Sequence, residues 1–441
     1  MHSERKTSIT SERISLGDGS LKLSFVSFAV GAIAIAVAFF GFMAAGNYDI
    51  SGEASHSWLK RFIYSYHTSF CFCLSISIGA LFVVLILNLT RAGWGVVIRR
   101  LAEIMASVIF PMLILFSPIF LITVFSGRGD WGSLLYIWNN PTFLEHNGET
   151  MFEMKQSYLH SGWYGLRILI YFSILGLIAL YFYMKSTRQD DTGDKRISLG
   201  MQKASAPFMI MFAFTVVFAS FDLEMSLAPR WFSTMFPVYF FAGGVMGAFA
   251  TLILFSNLLQ RNGILTDEIT DDHYHDLAKL SFAFVFFWGY VAFSQFMLIW
   301  YANIPEETFW FRYRVDWSKG WALVSILLLL GHLLIPFVCI MARNMRRNRN
   351  YMFVWAFVLL AFHWLDHYWL VMPQFAADPT GAITESSNVI PASPPAMLCD
   401  ALMAIGMIGI YMGMVFWMAG GKALIPTKDP RLVESLNFKN L

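Results

Sequence analysis

Charge is scarce in this 441-residue chain. Only 14% of its residues are Asp, Glu, Lys or Arg, while 57% are hydrophobic. Soluble globular domains carry about 25% charged residues, so a water-soluble fold is excluded. The 31 basic and 29 acidic residues leave a net charge of +2. No basic stripe, Walker loop or dinucleotide fingerprint appears, and nucleic acid has no support as a partner. Cysteine is equally sparse. Cys71, Cys73, Cys339 and Cys399 form no C-x-x-C pair, which speaks against an iron–sulfur or structural zinc site and suits small buried hydrophobes. The links between apolar segments are too short to hold a further domain, so cofactor-bearing modules are expected on other chains.

What the chain has in quantity is long apolar runs. Windows of about 20 apolar residues, the length that crosses a bilayer, fall near 23–43, 62–89, 98–125, 161–184, 205–226, 232–260, 276–302, 318–342, 351–373 and 396–419. The expectation is an all-α integral membrane protein with ten transmembrane helices. The first run exceeds a signal-peptide core and reads as an uncleaved first helix. Basic residues orient the chain. Arg5, Lys6, Arg13 and Lys22 precede the first helix; Arg91, Arg99 and Arg100 follow the second. Lys185, Arg188, Lys195, Arg196 and Lys203 then mark the next alternate link, followed by Arg261 and Lys279, Arg343 to Arg349, and Lys422, Lys428, Arg431 and Lys439. Most of the 31 Lys and Arg thus share one side, which the positive-inside rule makes cytoplasmic, with both termini there.

Two blocks of four helices look related. Each opens on a small-residue helix that ends in a similar run, Leu87-Asn88-Leu89-Thr90-Arg91 and Asn257-Leu258-Leu259-Gln260-Arg261. The expected organisation is a cytoplasmic tail (1–22), a flanking helix (23–43), a four-helix bundle of helices 2–5 (62–226), a second of helices 6–9 (232–373), a flanking helix (396–419) and a cytoplasmic tail (420–441).

Ionisable residues at lipid depth are costly and usually face a protein interior that handles ions or ligands. His363, Asp366 and His367, at i, i+3 and i+4, share one helical face and lie about 18–24 Å from the cytoplasmic start of their helix. Four readings stand open: proton exchange, quinol binding with His and Asp taking the hydroxyl protons, metal or haem ligation with His67 or His332 as a facing partner, and a polar network that fastens helices together. Asp222 and Glu224 close the fifth helix at the same outer depth. Being two residues apart they point to different faces, one toward Arg167 or Arg230 and the other toward a cavity. His332 lies near mid-membrane and is the candidate link to the cytoplasmic side, where His275, Asp276, Lys279 and Glu103 form an entry group. The acids there equally suit a helix N-terminus.

Three runs are distinctive: Met225-Ser-Leu-Ala-Pro229-Arg-Trp-Phe-Ser-Thr-Met-Phe-Pro237; His273-Tyr-His-Asp-Leu-Ala-Lys279 leading to Phe293-Ser-Gln-Phe-Met-Leu-Ile-Trp-Tyr-Ala-Asn-Ile-Pro305; and Leu365-Asp-His-Tyr-Trp-Leu-Val-Met-Pro373. Together they resemble the ActF-type membrane subunits of alternative complex III, a bacterial quinol:electron-acceptor oxidoreductase, themselves related to polysulfide-reductase-type (NrfD-like) quinone subunits. The resemblance spans almost the whole chain and departs at Arg230, where histidine is expected. It implies two four-helix bundles and a bacterial inner-membrane location. It implies as partners a companion NrfD-like quinol-binding subunit, an iron–sulfur subunit and c-type haem subunits. It implies no redox cofactor bound by this chain, with menaquinone contacts admitted, and respiratory or photosynthetic electron transport. Asp222, Glu224, His363, Asp366 and His367 carry over by position to a proton pathway. The alternatives are a proton-coupled secondary transporter and a structural anchor with no site of its own.

Overall fold

In the computed structural model, the described residues are 14–17, 19–46, 57–127, 129, 131–147, 153–317, 320–376 and 394–440. Arg5, Lys6 and Arg13 of the N-terminal tail, and most of the Pro- and Ser-rich link after residue 376, lie outside them. The described residues are helical with no strand, and ten helices are long and apolar enough to span a membrane: α1 Gly19–Ala45, α2 Ser57–Leu89, α3 Val96–Phe125, α4 Ser161–Thr192, α5 Lys195–Leu227, α6 Phe236–Arg261, α7 Asp271–Ala302, α8 Trp321–Met341, α9 Arg349–Ala376 and α10 Ala396–Ala419. The chain is a multi-pass, all-α membrane protein. Helix is the form that satisfies every backbone N–H and C=O within its own segment, which hydrocarbon surroundings demand.

Within the first block α2 touches α3, α3 touches α4, α4 touches α5, and α5 returns to α2. The second block closes the same way through α6, α7, α8 and α9. The two rings share a seam where α2 lies against α6 and α9. The most apolar window of α2 is therefore 89% buried, and that of α6 78%, while that of α1 is 22% buried. The outer pair α1 and α10 pack on each other, and α10 rests on α2.

Small residues set how near these helices come, as expected where packing rather than water expulsion drives association. A Cβ on Gly79 of α2 would stand 2.2 Å from the carbonyl oxygen of Gly244 on α6, and one on Gly31 of α1 would stand 2.7 Å from that of Gly406 on α10. Because the obstacle is backbone, Gly79→Val must push the two bundles apart. A cost of about 1–3 kcal/mol is expected for such overpacking, read as a lower midpoint of thermal unfolding in detergent; an unchanged midpoint would contradict this seam.

Several helices overrun a bilayer core. Spans α4 and α5 project from the membrane and join through Gly193, at φ 68°, and Asp194, whose carboxylate accepts from Arg196 N at 2.9 Å. Helix α3 is interrupted at Val108. Helix α8 widens to a π-turn over Leu329–Leu334. Pro336 explains that widening: it has no N–H for the carbonyl of His332 four residues earlier and its ring crowds that carbonyl.

Both described termini sit at one end, tied by an antiparallel bridge between Ser15 and Ala423. From there the C-terminal segment crosses this tail end of both bundles. The Arg99 guanidinium donates to Asp429 at 2.7 Å, the Ser435 hydroxyl donates to Trp94 O at 2.6 Å, and Asn440 donates to Asp276. Burial pushes the Asp429 carboxyl up, but the Arg99 charge outweighs it and holds the group below its ordinary value of 3.8. A carboxyl depressed on folding stabilises above its unfolded value and loses that contribution as pH falls through the folded one. Protection of residues 420–440 from hydrogen exchange, taken relative to the unstructured chain at the same pH, should thus be high at neutral pH and fall below about pH 4. Asp429→Asn should give fast exchange already at pH 7; slow exchange in that variant would remove the tether.

Candidate functional site

The seam between the bundles holds a buried polar cluster assembled from three helices, α2, α5 and α9. Ser75 of α2 is its centre. Its hydroxyl lies 2.9 Å from His363 Nε2 and 3.1 Å from His367 Nε2, and itself donates to Phe72 O at 2.8 Å. The His367 Nδ1 stands 2.6 Å from Glu224 Oε1, at the end of α5. All these residues are buried.

Hydrogen counting constrains the cluster. A hydroxyl has one proton and two lone pairs. With the Ser75 proton given to Phe72, both lone pairs accept, so both histidines carry hydrogen on Nε2. For His363 this leaves Nδ1 as a bare acceptor, and that atom has no partner. For His367 it leaves one proton to be shared between Nδ1 and Glu224, which is either imidazolium with carboxylate or imidazole with carboxylic acid. The second Glu224 oxygen, Oε2, is buried without a partner. These tautomers follow from the network rather than from hydrogen positions. The pair can therefore accept one further proton on the unpartnered Glu224 Oε2 without changing its heavy-atom geometry, whereas loss of the shared proton would leave two acceptors facing each other at 2.6 Å.

Asp366 belongs to the second bundle. Its two carboxyl oxygens accept from the Tyr239 hydroxyl of α6 and from Trp288 Nε1 of α7 at 3.1 Å. Both donors are neutral. Trp288 also lies against His332, with ring centroids 4.1 Å apart, and the His332 ring is 6.0 Å from that of His363. The π-turn of α8 carries His332 into this position, and both its nitrogens are buried without a hydrogen-bond partner.

Asp222 stands apart from Asp366. It accepts from Arg167 Nε at 2.7 Å and Nη2 at 2.9 Å and from the Tyr171 hydroxyl at 2.8 Å. Its charge is matched by a two-pronged guanidinium stacked on Tyr158, 3.7 Å from the ring centroid. The divergence expected of residues two apart thus holds, with Glu224 turned to the seam and Asp222 toward α4. The tail-end residues form two other sets. Glu103 accepts from Arg99 and Arg100 at 3.0 and 3.1 Å, and Arg100 continues to Asp190 at 2.8 Å. In the second bundle Lys279 meets Asp276 at 2.7 Å, and His275 Nδ1 lies 3.0 Å from Asn440. No hydrogen bond joins either set to His332, so the continuous route through Glu103, His275, Asp276 and Lys279 to the far side is not drawn by the described residues.

Among the described residues no three His, Cys, Asp or Glu side chains converge as a metal site. The two α9 histidines spend Nε2 on Ser75 and His67 Nε2 is 2.7 Å from Leu223 O, so of the four candidate haem ligands His332 alone keeps a free Nε2 and the bis-histidine pair is incomplete. Sequence reasoning missed Ser75, Tyr239 and Trp288. Each is one more uncharged residue in an apolar helix, and only the packing gives it a role. It also missed Arg61 and Asp400, which pair at 2.7 Å where α10 meets α2, with the Tyr368 hydroxyl 3.1 Å from the same carboxyl oxygen.

A comparison with family models found no match for this chain, and neither did one with curated proteins.

Proposed function

We propose that this chain is a proton-conducting membrane subunit of a quinol:electron-acceptor oxidoreductase of the alternative complex III type, held in the bacterial inner membrane with its tail end cytoplasmic. The observation that carries the proposal is the buried 2.6 Å contact of His367 Nδ1 with Glu224 Oε1, which needs a proton between them, set beside a carboxyl, Asp366, that only neutral donors hold. Such groups change protonation without rearranging helices, which is what a proton-exchange site requires. Arg99, Arg100 and the basic run Arg343 to Arg349 lie at the tail end, in keeping with a cytoplasmic side. On this reading iron–sulfur clusters and c-type haems belong to partner subunits, and a companion NrfD-like subunit takes the quinol.

Mild-detergent purification through a tag on this chain tests the assignment. Haem- and cluster-bearing subunits should co-purify in fixed ratio, and the partner-free chain should show no Soret band. A chain that purifies alone and drives proton-dependent solute uptake in vesicles would overturn the assignment in favour of a transporter.

A further inference from the structure

A cavity of about 580 Å³ lies among α7, α8, the far end of α9 and the short helix Pro305–Arg312. Six of its lining side chains carry a polar atom. Tyr239 and Trp288 bond Asp366, and the Ser325 hydroxyl donates to Arg314 O at 2.7 Å while accepting from Trp369 Nε1 at 2.8 Å. Trp317 is 71% exposed. Gln295, by contrast, is 5% exposed, and its carboxamide oxygen is buried without a partner. An acceptor in that state is costly to leave unmet, and it asks for a donor.

Two further observations describe the missing donor. Phe293 and Leu329, which line the cavity, are 62% and 48% exposed on the membrane-spanning surface, so the cavity opens sideways to lipid. Gln295 sits seven residues before the end of α7 at Ala302, about 10 Å below that end at 1.5 Å per residue. A phospholipid keeps its headgroup at the interface, and its ester oxygens accept but do not donate. What fits is a hydroxyl on a flat ring, carried to this depth by an apolar body. The aromatic walls, Trp288, Phe296, Phe311 and Trp369 among them, suit a ring by offset or edge-on packing, and the volume lies within the ordinary range for small-molecule sites.

We propose that this cleft binds a lipid-soluble ring alcohol, its hydroxyl donating to Gln295 Oε1 and its tail leaving past Phe293 and Leu329 into the bilayer. A hydroquinone and a hydroxylated polycyclic terpenoid share this chemistry. Binding in this cleft does not require proton conduction. If that reading holds as well, the occupant's ring lies one side chain from Asp366, across Tyr239 and Trp288.

The test uses the full chain in lipid nanodiscs, with its native partners where they co-purify, and an aryl-azide decyl-hydroquinone probe kept reduced. Photolabel should map to residues 288–296 and 315–329. Free decyl-hydroquinone should compete at least tenfold better than its dimethyl ether, or cholesterol than its methyl ether, since each ether keeps the shape and loses every donor. Whichever alcohol competes at lower concentration identifies the source. Gln295→Leu should erase the difference between alcohol and ether, and Ala292→Trp, which fills the cleft, should abolish the label. Label spread evenly over lipid-facing helices, ethers that compete as well as alcohols, or an alcohol preference that survives Gln295→Leu would each overturn the proposal. No turnover is measured, so these outcomes are separate from failure of proton conduction.

Discussion

Replacing Asp366 by Asn should leave the complex assembled and cut quinol-driven proton release by roughly tenfold or more, since a positioned proton-transfer group is commonly worth about 10²–10⁴ in rate. Assembly survives because the amide can keep both bonds. Its oxygen accepts from Trp288 Nε1, and its amino group donates to the Tyr239 oxygen, which has a lone pair free for it. Only the exchangeable charge is lost. Glu224→Gln should be nearly as severe, because the amide removes the acid that shares a proton with His367 Nδ1. His363→Phe loses one bond to Ser75 and should be milder if His363 only orders that hydroxyl, and severe if its unpartnered Nδ1 accepts a substrate proton. The measurement is quinol oxidation by the reconstituted complex, with proton release followed by a pH-sensitive dye. Unaltered rate and proton yield in the Asp366→Asn complex would make the cluster a scaffold.

The ten spans were readable because hydrophobic length is a local property. Even so, the observed helices overrun the apolar windows. Helix α4 extends to Thr192 and α5 begins at Lys195, since polar residues such as Arg188 and Gln189 continue a helix readily once it leaves lipid. The two-bundle organisation was signalled by paired runs ending in Arg91 and Arg261, and the contacts between helices follow it. The residues that carry charge in the candidate site were legible for the same reason that they are rare: His363, Asp366, His367 and Glu224 stand out against apolar neighbours. Their wiring was not. Ser75 is one of several serines on α2, and only the packing of α2 against α9 brings it within reach of both α9 histidines. The π-turn that turns His332 toward Trp288 depends on Pro336, whose effect on register is not fixed by sequence spacing alone. A charged residue announces itself by its cost, whereas a neutral donor acquires its role from tertiary packing.

Asp222 separates the two kinds of buried acid. Arg167→Met should be among the most damaging substitutions in the chain, because it strips the two-pronged partner from a carboxylate that is itself fully buried. Leaving one member of such a pair uncompensated costs roughly 3–5 kcal/mol, and the expected readout is loss of assembled, folded protein from the membrane fraction. Asp222→Asn should be milder, since the amide oxygen, placed at the Oδ2 position, can still accept from both Arg167 Nε and the Tyr171 hydroxyl and only the Nη2 bond is lost. The double variant Arg167→Met/Asp222→Asn should recover much of what the first substitution loses, because no unmatched charge remains. Proton yield in whatever assembles should match the unsubstituted complex in both Asp222 variants, as this carboxyl shares no hydrogen bond with the Glu224–His367–Ser75 cluster. Proton release that collapses in Asp222→Asn while assembly is retained would place Asp222 in the conducting path and reassign Arg167 from charge partner to gate.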